Sequence, residues 1–488
     1  MNLKSLAKDT AIYGLSSIVG RFLNYLLVIL YSYSIPAQSG GYGIVSNLYA
    51  WTALLLAILT FGMETTFFRF SGKEGEDPQN VFSTAAKMVG GLGLVFLTVV
   101  CCFLMPISSA MGYASHPEYI LCFAIITVLD AFQAILFARL RQQKRPLKFV
   151  ALKFAFIIPS ILLNIAVFLG MPLFFDRFPA LQQSFEYFDY GVGYIFFINL
   201  ICTALVSFGF VKELKDLGRK FDPALCKRML SYTWPLLLLS LVGILNQVID
   251  KILFPKLLPG EEGLVQLGIY SACTKVAMIM AMLVQAFRYA YEPIVFGESR
   301  GKTNEKTLSD GMKWYIIFAV LAFLGVMFYL PILKHIIGST YWEGLGVVPF
   351  VMAAELLMGI YFNLSFWYKL SDQTWWGAII NSIAVAVVIA VNVIFVPRIG
   401  YWACAWGGLA GYGTSTALCW LIGRVRYPIK YEAKYLITVT TLAGTFIGVK
   451  AYLDSTYNND LLSMAAGTVM LALYMAFIYK EIKASRKA

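Results

Sequence analysis

The chain has 488 residues, 59% of them hydrophobic and only 14% charged, with a formal net charge of +12. The eight cysteines form no CxxC pair, and the two histidines, His116 and His335, fall in different loops. Neither a disulfide framework nor a zinc site is therefore expected, and no cofactor.

Fourteen apolar stretches follow one another, at residues 10–34, 42–66, 81–107, 117–139, 148–170, 188–211, 228–254, 264–292, 312–336, 344–368, 373–395, 402–423, 430–453 and 460–480. Each reaches the ~20 residues that a helix needs to cross a hydrocarbon core, so the pattern predicts an all-α polytopic membrane protein with about fourteen transmembrane helices. The first stretch is too long for a signal peptide and lacks a small-residue cleavage site, so it is expected to stay as the first span. Of the 39 Lys and Arg residues, 28 fall at the two termini or in the loops after even-numbered stretches. By the positive-inside rule those loops and both termini are cytoplasmic. The basic excess then reflects orientation and anionic membrane lipids, and no nucleic-acid partner is expected.

The loops are too short to hold a separate domain with its own core. The basic segment at 212–227, KELKDLGRKFDPALCK, divides the first twelve crossings into six and six. It predicts an N-lobe at 1–211, a cytoplasmic linker at 212–227, a C-lobe at 228–423, and two additional helices with a tail at 424–488. A weak internal repeat supports the division. Val19-Gly20 through Asn24 resembles Val242-Gly243 through Asn246, and each copy continues past a proline, Pro36 or Pro259, into Tyr42-Gly43-Ile44 or Leu267-Gly268-Ile269. An even number of spans per half makes such repeats parallel. Pro159, Pro235 and Pro331 are candidate kinks. Gly297 to Thr303 falls one residue short of a phosphate-binding loop and follows a membrane helix, so no ATPase is indicated.

Four stretches carry a family likeness: Gly40-Gly41-Tyr42-Gly43-Ile44; Phe61-Gly62-Met63-Glu64 through Phe70; Asn246-Gln247-Val248-Ile249-Asp250-Lys251; and Gly268-Ile269-Tyr270 through Lys275, leading to Gln285 through Pro293. The chain resembles the polysaccharide-export and oligosaccharide-flippase (Wzx-type) proteins of the multidrug/oligosaccharidyl-lipid/polysaccharide superfamily. The resemblance implies two six-helix lobes around a central cavity that opens alternately to each side. The implied cargo is an undecaprenyl-diphosphate-linked oligosaccharide, turned from the inner to the outer face of the cell inner membrane for surface polysaccharide synthesis.

A charge near the bilayer centre costs ~2.5–3.5 kcal/mol even on the mildest scale, so each one needs a cavity or a partner. Arg21 and Lys275 lie near mid-depth in stretches 1 and 8, and together they are the candidate diphosphate ligands, guanidinium as a fork and ammonium as a point charge. Lys153, Asn24 and Asn246 are secondary cavity candidates. Lys87 and Lys153 are both near enough to the inner surface to snorkel. Among carboxylates, Glu355 is the first candidate for proton coupling, followed by Asp250 and Asp130. Asp250 with Asn246 one turn before it offers an oxygen pair for Na⁺. A helix contact is the plain alternative for Asp250 and Asp130, and for Glu64 a local role near Arg69. Arg288 and Glu292, at i,i+4, are a structural or gating ion pair.

Three functions compete: a flippase; an ion-coupled exporter of amphipathic cations, disfavoured by two mid-depth cations; and a membrane polymerase or ligase, for which the longest outward loop offers no catalytic constellation. Expected partners are the lipid-linked oligosaccharide, membrane lipids and an H⁺ or Na⁺ coupling ion, with no metal and no catalytic residue. The topology is tested by cysteine labelling in intact cells. A cysteine at Lys215 should be shielded from impermeant maleimide and one at Asp176 labelled, and the reverse pattern overturns the orientation.

Overall fold

The computed structural model describes residues 23, 25–178, 191–218, 221–298, 305–371, 373–431, 433–457 and 459–485. They form helices without a strand. In chain order these are α1 (Tyr25–Ser34), α2 (Gly41–Ser71), α3 (Pro78–Cys102), α4 (Pro117–Gln142), α5 (Pro146–Arg177), α6 (Val192–Phe208) and α7 (Pro223–Leu257). They continue as α8 (Glu261–Glu298), α9 (Glu305–Phe328), α10 (Ser339–Leu370), α11 (Trp375–Ile399), α12 (Trp402–Arg426), α13 (Ala433–Tyr457) and α14 (Asp460–Ser485). Among the described residues, ten helices are long and apolar enough to cross a membrane, namely α2–α5, α7–α11 and α14. The shorter α1 and α6 are apolar, and α12 and α13 lie outside the ten. In hydrocarbon, backbone groups must be satisfied within the segment, which is why an apolar chain of this length settles into helices.

Packing divides the chain into two compact units, residues 1–268 and 269–488. α7, which follows the basic linker, packs in the first unit against α2.

In the first unit two helices open on an Asp-Pro start. Asp77 caps α3 through Gln79 N–H (3.0 Å) and Asp222 caps α7 through Leu225 N–H (2.9 Å), each with proline in the first turn. The buried Glu213 carboxylate takes Arg145 at 2.9 Å and Lys148 at 2.6 Å, tying the loop between α4 and α5 to the linker. Lys87 donates to Gly218 O (2.6 Å), so it docks the linker onto α3 instead of only snorkelling. The core beneath these contacts gathers Met63, Phe67, Phe82, Ile135, Phe149 and Phe210.

Two backbone features follow from glycine. α2 breaks at Phe61 and Gly62, both left-handed (φ 51° and 65°), and the Gly62 α-carbon faces Thr233 of α7. Nearer the opposite end of α2, the two glycines that occupy equivalent places in the repeat meet: a Cβ on Gly268 would stand 3.1 Å from Gly43 N, and a Cβ on Gly43 would collide with Leu264 O. α2 is also held to α7 by Asn47, whose Nδ2 donates to Lys251 O (2.7 Å), while its Oδ1 accepts from Tyr113 (2.9 Å) just before α4.

The second unit packs α11 on α12 at Asn392 and Gly407 and α10 on α12 at Trp367 and Gly423. α14 crosses α9, where Tyr474 donates to Ile317 O (3.1 Å). Lys450 of α13 is buried with Asp454 (2.9 Å) and Ser463 of α14 (2.7 Å). Of the candidate kinks, Pro159 and Pro235 lie inside α5 and α7, whereas Pro331 lies in the first turn of a short helix, Leu330–Leu333, that follows the end of α9. Gly43→Ala should cost ~1–3 kcal/mol through overpacking, while Gly91→Ala, with open space around it, should be neutral or stabilising. Thermal unfolding of both in one detergent checks this, and equal melting temperatures would refute the close approach.

Candidate functional site

In the first unit, four helices bring a line of polar groups together at membrane depth. Asp130 lies halfway along α4 and Lys153 two turns from the start of α5. The strongest charge acting on Lys153 is that of Asp130, followed by Glu64 and Arg141. The Lys153 ammonium rests 4.2 Å from the Phe137 ring centroid. Glu64 contacts Arg141, whose guanidinium lies 5.0 Å over Phe68. The expected neighbour of Glu64, Arg69, sits instead 4.0 Å over Tyr232. Arg69 is five residues from Glu64 and so points away from it on the helix, whereas Arg141 reaches it from α4.

Deeper along the same line, Asp130 acts on Tyr49 of α2, whose hydroxyl accepts from Asn199 of α6 (2.6 Å). Gln133 of α4 donates to Thr203 O (2.8 Å) and Ser207 (3.0 Å) of α6. The charges alternate in sign, Arg141, Glu64, Lys153, Asp130, and sum to zero. Such a line can hold water and pass a proton or small cation, but its own acids already compensate Lys153. Tyr49, Asn199 and Arg141 were not among the sequence candidates.

Asp250 accepts from its neighbour Lys251 N–H (2.8 Å), and Asn246 Oδ1 is buried with no hydrogen-bond donor among the described residues. Arg21 and Asn24 lie outside the described residues.

In the second unit, Lys275 is half-buried on α8, about 21 Å along the axis from Glu261 by helix rise. The turn before it is fixed by Cys273, which donates to Tyr341 O (3.3 Å), and by Ile269, which fills the space over Gly344. Glu355 is half-buried midway along α10, and its charge acts on Tyr315 of α9, which donates to Leu356 O (3.0 Å). Arg288 and Glu292 pair at 3.8 Å on α8 as their spacing predicts. Lys369 of α10, not singled out in the sequence beyond its place in an inner loop, joins them: it and Arg288 stand 4.4 Å and 4.5 Å from the centroid of one ring, Phe362.

The sequence profile of a family described as polysaccharide biosynthesis protein matches residues 6–295. No curated protein matches the chain by sequence. Among solved structures, one titled lipid II flippase MurJ, inward closed conformation, shares the fold with a TM-score of 0.74 at 14% identity, over 96% of this chain and 99% of that one. An inward-facing multidrug resistance MATE family transporter of the MOP superfamily aligns with a TM-score of 0.63 at 14% identity, over 86% and 98%. A MATE protein in complex with MaD3S aligns at 0.58 and 17% identity, over 86% and 94%.

The Asp130–Lys153 interaction predicts a thermodynamic cycle. Asp130→Asn and Lys153→Met should each cost ~2 kcal/mol by stranding the other charge, and the double variant should recover most of that loss. Melting curves of the four proteins decide it; additive losses would mean that the two groups do not sense each other.

Proposed function

The chain belongs to the polysaccharide biosynthesis protein family, and on that premise we propose that it is a flippase for undecaprenyl-diphosphate-linked oligosaccharide, working by alternating access. It carries the cargo from the cytoplasmic to the outer face of the inner membrane, for surface polysaccharides such as lipopolysaccharide O-antigen, with both its termini in the cytoplasm. The observation that carries the proposal is Lys275, a cation at mid-depth on a spanning helix within the family match. A diphosphate leaving water needs cationic hydrogen-bond donors, and Lys275 with Arg21 supplies two. The polyprenyl tail stays in lipid, where the protein need not compensate it.

The second reading is an ion-coupled exporter of amphipathic cations. Asp130 would favour it, but Lys153 brings an opposite charge that acts on the same site, and a site for an organic cation needs net negative charge and open aromatic faces. At 14–17% identity the solved structures speak for the fold alone. Energy input is assigned to Glu355 for protons, with Asp250 and Asn246 as the sodium alternative.

Reconstituted vesicles carrying a fluorescent diphosphate-linked sugar test the proposal. Charged hydrogen bonds contribute ~1.5–3 kcal/mol each, so Arg21→Ala and Lys275→Ala should each slow translocation by roughly tenfold to a hundredfold. Arg21→Lys should recover only part of the rate, because the fork geometry is lost. Inserted alanine variants that flip at the parental rate would refute the role of both cations.

A further inference from the structure

Lys369 is half-buried at the end of α10, and among the described residues its ammonium has neither an ion-pair partner nor a hydrogen-bond acceptor. It rests on the rings of Phe362 (4.4 Å) and Phe366 (5.1 Å), with Glu292 acting on it only through space. Arg288 approaches Phe362 at 4.5 Å, and its pair with Glu292, at 3.8 Å, lies beyond hydrogen-bond length. Two cations thus converge on one ring against a single carboxylate, leaving net charge of one sign. Their distances to the common centroid put them at most about 9 Å apart, a gap that a two-phosphorus anion can bridge.

The floor of the cluster is rigid. Phe362 packs edge-on against Phe366 (5.2 Å), Phe366 against Tyr291 (5.6 Å), and Tyr291 donates to Thr307 O (2.8 Å). Ring contact stabilises a cation but satisfies none of its N–H donors, so partly desolvated donors stay available to an anion. Arg288 is 44% exposed, which leaves the cluster open to a ligand.

We propose that Arg288, Lys369 and the Phe362 ring form an entry site for a diphosphate at the end of the second unit that the charge bias assigns to the cytoplasm. The identity of its occupant as the headgroup of the lipid-linked cargo rests on the flippase reading. The site is distinct from Lys275, about 13 residues or roughly 20 Å earlier on α8. It captures the headgroup before the cargo moves toward mid-depth.

The test uses the full-length protein in phosphatidylcholine nanodiscs, with inorganic pyrophosphate and a sugar-free polyprenyl diphosphate as probes. Arg288→Gln and Lys369→Gln should each weaken binding of both probes on the order of tenfold, and Lys369→Arg should retain most of it. Because Arg288 is exposed, its variant carries the test even where Lys369→Gln fails to insert. Unchanged affinity in inserted Arg288→Gln protein overturns the proposal. Equal displacement of pyrophosphate by phosphatidylglycerol and by polyprenyl diphosphate, at matched amounts, also overturns it, since the site then takes bulk lipid headgroups. Weakened binding in the variants, from a parental protein that moves no diphosphate lipid in vesicles, supports the site and refutes the flippase reading instead.

Discussion

A charge carried to membrane depth has to be compensated inside the protein, and that constraint organises both units. Water is absent from the hydrocarbon, so each buried ion must find a counter-ion, a ring or a cavity. The first unit answers mainly with counter-ions, Arg141 with Glu64 and at the loops Glu213 between Arg145 and Lys148, while Lys153 rests on the Phe137 ring with Asp130 acting on it through space. The second unit does so with Lys450, where Asp454 and Ser463 take up the ammonium, and with Arg288, which pairs with Glu292 beside the Phe362 ring, but at Lys369 it substitutes aromatic rings. A ring lowers the cost of burying a cation without consuming its donors, so the two strategies leave different residual affinities for anions.

Close backbone approach is the second organising device. In lipid, apolar side chains gain little by leaving their solvent, and helices associate through packing of small residues. Gly43 and Gly268 fit that requirement, because each lies where a side chain would strike the partner's backbone. They also hold equivalent places in the two copies of the repeat. A duplicated segment presents the same small residue twice, so one glycine pattern supplies both sides of a contact.

The helical architecture was legible because hydropathy and length act locally: a run of apolar residues reports its own depth without reference to neighbours. The i,i+4 pair of Arg288 and Glu292 was legible for the same reason. What escaped were partners set by packing between helices. Glu64 reads as a neighbour of Arg69, yet Arg141 reaches it from another helix; Lys87 reads as an anchor, yet the linker carbonyl of Gly218 accepts from it. Lys153 and Asp130 read as separate candidates, and only the packing of α5 and α4 makes one electrostatic set of them. Lys369 gave no signal in sequence, since a single lysine after an apolar run is the ordinary mark of an inner loop. Pro331 shows the reverse error, where residue type suggested a kink and position gave a helix start.

These differences in compensation bear on how an anionic headgroup would be handled. A cation locked to its own carboxylate must give up that partner before it binds a phosphate, and the exchange returns little net energy. Arg141, in contact with Glu64, is in that position. A cation resting on rings meets a phosphate with its donors still unspent, so the gain is retained. On the flippase reading, the acid-paired charges of the first unit act to hold helices together, and recognition at the end of α10 falls to a cation that rests on rings, Lys369. Such a division has a consequence for release. A diphosphate held only by charge-assisted hydrogen bonds at a partly open site exchanges readily with water, which a carrier requires, whereas a fully enclosed ion pair would trap its cargo.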